Sequence, residues 1–88
     1  MPSSSTKRDA HAYDYAERIC ERLPRRMQEL REAAGLTPYK LWRKCGISRN
    51  TISCIESGKR TPGVAVLAQL AKGMGVTLEG FISGMEDG

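Results

Sequence analysis

A glycine set between two short helical patterns constrains this chain more than any other feature. Gly46 comes four residues after Trp42, is followed by Ile47 and Ser48, and precedes Ile52 and Ile55. Glycine enters the left-handed backbone region at no steric cost, so a helix can stop at Gly46 and the chain can turn sharply. Ser48 then suits an N-cap, because its hydroxyl can serve a free amide of the next helix's first turn. The reading is two short helices joined by a tight turn, the second spanning 49–57 with Ile52 and Ile55 inward. Its opposite face must point outward, and that face bears Arg49, Asn50, Ser53 and Cys54.

Similar punctuation organises the rest of the chain. Thr37-Pro38 sets a capping residue before a proline at the first helical position, which predicts a short helix through about Lys44. Gly58 closes the helix that Ser48 opens, and residues 59–63, Lys-Arg-Thr-Pro-Gly, read as a loop. Val64 to Lys72 has helical spacing, with Val64, Leu67, Leu70 and Ala71 on the expected buried stripe and Met74 and Val76 closing it. Thr77 caps a last helix, Leu78 to about Ser83, expected to bury Leu78, Phe81 and Ile82.

Upstream, Tyr13, Ala16, Cys20, Leu23, Met27, Leu30 and Ala34 recur at helical intervals, but Pro24 interrupts them. Inside a helix a proline costs about 3 kcal/mol, whereas the first turn tolerates it. The expectation is a short helix near 10–22 and a first core helix from about Pro24 to Ala34, ended by Gly35; one kinked helix is the alternative. No segment alternates with period two, so the expected fold class is all-α. The organisation reads as a disordered tail (1–9), a helical extension (10–22), one domain (23–83) and a frayed end (84–88). The stripe of the extension serves either as added core packing or as a dimer contact.

Charge is concentrated rather than merely positive. Of the chain's net +4, the segment from Leu36 to Lys72 holds Lys40, Arg43, Lys44, Arg49, Lys59, Arg60 and Lys72 against a single acid, Glu56. Such a run is either a solvated face or a surface for a polyanion. The three cysteines, Cys20, Cys45 and Cys54, form no CxxC pair, and with one histidine, His11, they do not suggest a metal site. Reduced thiols and the lack of a signal-peptide or membrane-length apolar run lead to a cytoplasmic expectation. With no base–nucleophile pair and no phosphate-cradling glycine loop, neither an enzyme nor a cofactor is expected.

The stretches LREAAGLT (30–37), LWRKCGISRNTISCIESGKRTP (41–62) and LAQLAKGMGVTLEGF (67–81) resemble the Cro and lambda-repressor-like helix-turn-helix family, also called the xenobiotic-response-element type. The likeness runs from about Leu23 to Phe81. It implies a five-helix bundle whose third helix enters the major groove of double-stranded DNA, and homodimers that read half-sites about one turn apart. By position it assigns base contacts to Arg49, whose fork suits guanine, to Asn50, whose amide suits adenine, and to Ser53 and Cys54 one turn later. Lys59 and Arg60, with Tyr39, Lys40 and Thr51, are implied phosphate contacts.

The same resemblance pairs Glu56 with Arg31 as a structural ion pair. It implies a sequence-specific transcriptional regulator acting as a repressor; the alternative is a protein-interaction module or antitoxin-like component with a protein partner. Two residues depart from the family. Pro38 stands where a glutamine is usual, and Trp42 where a small residue lets the helices cross closely. Either the crossing widens or the indole lies along the side.

Overall fold

Helix boundaries in the computed structural model, which describes residues 13–86, follow the local caps. The elements are α1 (Asp14–Ala33), α2 (Pro38–Cys45), α3 (Arg49–Glu56), α4 (Val64–Met74) and α5 (Leu78–Ser83), with no strand among the described residues. Thr37 Oγ1 accepts from Lys40 N at 3.1 Å, Ser48 Oγ from Thr51 N at 3.1 Å, and Thr77 Oγ1 from Gly80 N at 2.9 Å. Each bond satisfies an amide that the first turn leaves free. Gly46 ends α2 at φ 79°, a conformation that a Cβ would strain.

The fold is thus the expected all-α one, a five-helix bundle with an N-terminal helical extension. α1 packs on α3, α2 on both α3 and α4, and α5 on α4. Met27, Leu41, Ile52, Ile55, Leu70 and Phe81 are fully buried where these helices meet. Gly73 sets the α2–α4 crossing: a Cβ there would lie 2.9 Å from both Cys45 Cβ and Leu41 Cδ1. Only a residue without a side chain allows that approach.

Of the expected extension stripe only Leu23 joins the core, while Tyr13, Ala16 and Cys20 are exposed. The structure departs from the sequence expectations in four further places. First, α1 does not break near Pro24; it runs unbroken through it, which is the single-helix alternative. Pro24 forfeits one helical bond, but the helix is held on both sides of it by long-range contacts. Arg22 Nη1 donates to Met85 O at 3.0 Å, and Arg26 donates to Phe81 O at 3.0 Å and Gly80 O at 2.7 Å. Tyr15, two turns before Arg22, donates its hydroxyl to the Glu86 carboxylate. Second, Met85 belongs to the core rather than to a frayed end, because these arginines bind the carbonyls that close α5. Third, Val64 is 67% exposed, since it opens α4 at the rim, and the buried stripe begins further along at Leu70, Ala71 and Met74. Fourth, α4 extends to Met74, with Gly75 as its cap. The expected tail, 1–9, and His11 lie outside the described residues.

Candidate nucleic-acid interface

Ile52 and Ile55, both fully buried, fix the rotation of α3 about its own axis. With that face turned in, Arg49, Asn50 and Ser53 are exposed on the outer side, while Cys54 is half-buried at its edge. Cys54 serves the surface mainly through its backbone: its carbonyl accepts from Lys59 N at 2.9 Å and Arg60 N at 3.2 Å. Ser57 Oγ donates to the same carbonyl at 3.2 Å. The loop carrying Lys59 and Arg60 is therefore folded back over the end of α3.

Arg60 reaches further back, donating from Nη1 to Thr51 Oγ1 at 3.1 Å, and Ser48 Oγ donates to the same oxygen at 2.9 Å. Thr51 Oγ1 thus joins the cap of α3 to the loop that carries Arg60. Beside this network lies a hollow of about 410 Å³ whose lining includes Ser48, Thr51, Arg60, Thr61 and Gly63. Gly63, which caps α4 without a side chain, lines this hollow together with Arg60. A guanidinium, two hydroxyls and a helix N-terminus suit an anion such as a phosphate.

Beside the start of α3, α2 contributes an aromatic and cationic cluster. Tyr39 and Trp42 pack with ring centroids 5.4 Å apart at an angle of 59°. Arg43 Nη1 donates to the Tyr39 hydroxyl at 3.4 Å and its Cζ lies 6.0 Å from the Trp42 ring centre. Arg49 crosses from α3 to set its Cζ 5.7 Å from the Tyr39 ring centre. Trp42 is exposed, so its indole lies along the side of the helix, the second of the two ways a large residue fits there. Trp42 and Arg43 were absent from the sequence-based site. Their signal was the i, i+3, i+4 spacing from Tyr39, opposite the inward Leu41 and Cys45. Lys40 is exposed near the start of α2.

Glu56 turns away from this surface. Its carboxylate receives a two-pronged contact from Arg31, Nε to Oε2 at 2.7 Å and Nη2 to Oε1 at 3.0 Å, while Arg31 Nη1 donates to Leu36 O at 2.8 Å. The bond to Glu56 raises the Arg31 pKa above its ordinary value, against a smaller lowering by burial. The pair ties the end of α3 to α1. Among the described residues the three cysteines are free thiols, no cluster of His, Cys, Asp and Glu could hold a metal ion, and no helix is long and apolar enough to cross a membrane.

A tight-turned pair of short helices, the second buried on one side and polar on the other, defines a helix-turn-helix domain. The helix-turn-helix family model matches residues 27–81, and the chain belongs to that family, in its Cro/C1-type branch. An uncharacterized HTH-type transcriptional regulator of Methanocaldococcus jannaschii is 37% identical over 54 residues, covering 61% of this chain and 82% of that one. No solved structure matches the chain significantly. The match begins at residue 27, so α1 up to Arg26, with Tyr15 and Arg22, lies outside it.

Proposed function

We propose that this protein is a sequence-specific, double-stranded-DNA-binding regulator of transcription. In this reading it works in the cytoplasm as a homodimer, inserts α3 into the major groove, and represses by occupying its operator. The observation that carries it is the outer face of α3, where Arg49, Asn50 and Ser53 stand exposed on a helix held from behind by Ile52 and Ile55. The regulator of M. jannaschii, matched over most of its length, supports the same role.

Arg49 then addresses guanine through its fork and Asn50 adenine through its amide, with Ser53 and the edge of Cys54 one turn deeper. Lys59, Arg60 and the Thr51 hydroxyl hold one stretch of phosphates around the hollow; Lys40 and the Tyr39 hydroxyl hold another. Phosphate contacts fix the register and leave discrimination to the bases.

Selection of bound duplexes from a random pool tests this directly. A palindromic consensus is expected, one half-site for each protomer. If a dimer neutralises about eight phosphates, log affinity falls against log salt with a slope of roughly −7. A pool that shows no enrichment, with binding indifferent to salt, refutes the reading and favours a protein partner.

A further inference from the structure

The Tyr39, Trp42, Arg43 and Arg49 cluster contributes no buried core residue, since Tyr39 and Trp42 are 45% and 36% exposed. Its geometry nevertheless constrains Arg49. A free arginine at the start of a helix samples many rotamers and loses that freedom when it grips a base. Here the Arg49 guanidinium lies 5.7 Å from the centre of the Tyr39 ring, within the range of a cation–π contact. Among the described residues Arg49 makes no hydrogen bond or ion pair, so a contact through its charge to the ring leaves the N–H edge of its fork free. That edge is the one a guanine needs.

The ring itself is held from two directions. Arg43 donates to its hydroxyl at 3.4 Å, and Trp42 packs against it at 5.4 Å. A ring fixed at its oxygen and at its side is a pre-set surface. Pro38, the residue before Tyr39, offers no side-chain donor, and in the first turn of α2 it is Tyr39 that meets Arg49.

Resting on the DNA-binding reading above, we infer that Tyr39 is a specificity-determining positioning residue: its ring holds Arg49 with the fork presented to one guanine, buttressed by Trp42 and Arg43. A phosphate contact by the Tyr39 hydroxyl is compatible, because it uses the oxygen and not the face. The two roles separate experimentally. Loss of the hydroxyl weakens all sequences alike; loss of the ring weakens the preference for guanine.

The test uses the full chain and the consensus duplex from random-pool selection. Arg49→Ala first identifies the base pair whose guanine preference Arg49 carries. At that pair, Tyr39→Leu, which keeps bulk but removes the π face, is expected to lower the guanine-to-adenine affinity ratio by about 3- to 5-fold. Tyr39→Phe, which loses the Arg43 bond but keeps the ring and its packing on Trp42, keeps most of the ratio. In the free protein, the Arg49 δ-methylene protons are shifted upfield by the ring current in wild type and Tyr39→Phe, and this shift is lost in Tyr39→Leu. An unchanged ratio in Tyr39→Leu overturns this inference alone. An equal fall in Tyr39→Phe also overturns it, by assigning the effect to the hydroxyl. A wild-type chain that selects no sequence, or an Arg49→Ala chain with every preference intact, overturns the assignment of Arg49 as well.

Discussion

Replacing Glu56 by alanine should cost this domain about half of its stability. The Arg31 and Glu56 side chains are only 11% and 14% exposed, and their contact is bidentate at 2.7 and 3.0 Å. An acid at the carbonyl end of α3 is disfavoured by the helix dipole, so its partner is what makes it tolerable there. Without the carboxylate, the Arg31 guanidinium stays largely enclosed, with Leu36 O as the acceptor that remains for it. Removing one member of a fully buried pair costs about 3–5 kcal/mol. The residual exposure lets water reach the orphaned fork, which brings the expected loss to about 2–3 kcal/mol.

A domain of this size has roughly 5 kcal/mol in total, and the melting temperature should fall by roughly 10–20 °C. Urea titration followed by far-ultraviolet circular dichroism measures the loss as a lower midpoint at unchanged slope. The doubly substituted Arg31→Met, Glu56→Met chain should recover much of it, because most of the loss is the cost of an unpaired buried charge rather than the net worth of the pair. A Glu56→Ala chain within about 0.5 kcal/mol of wild type would refute this reasoning, since that is the value of an exposed pair.

Arg49→Ala should cost about 1–3 kcal/mol on the selected duplex and relax preference at one base pair, read by competition against singly substituted duplexes. Lys59→Ala should instead weaken all sequences alike and make the salt slope shallower by about 1 per protomer; a change in base preference would count against a phosphate role. Gly73→Ala should destabilise by about 1–3 kcal/mol in urea titration, because its methyl would sit 2.9 Å from Cys45 Cβ and Leu41 Cδ1. The Arg31 pKa is raised on folding, so its contribution is present below the unfolded value and is lost only as pH rises through the folded one. For arginine that window is strongly alkaline, and the coupling energy from an Arg31–Glu56 double-mutant cycle should hold constant from about pH 7 to about pH 10.

What was legible in the sequence was whatever a few neighbouring residues decide among themselves. Thr37, Ser48 and Thr77 each cap a helix through an amide three residues on, so the capping oxygen and its donor lie within one readable window. Ile52 and Ile55 orient α3 through spacing alone, and with them the outward placement of Arg49, Asn50 and Ser53. The partner of Glu56 came through resemblance, not spacing, because 25 residues separate it from Arg31.

The rest depended on where distant segments meet. Pro24 was read as a break because its local cost is real, while the contacts that offset it come from residues 54 to 63 positions away. The exposure of Val64 follows from its place at the rim of the bundle, which periodicity does not encode. Arg49 illustrates the division most clearly. Its outward direction is a property of α3, but its contact with Tyr39 exists because Gly46 turns α3 so that its first residue meets the first turn of α2. Base recognition in this domain would therefore be set by two helices and the angle between them. A comparison confined to the residues of α3 would miss the ring that orients the most informative of them.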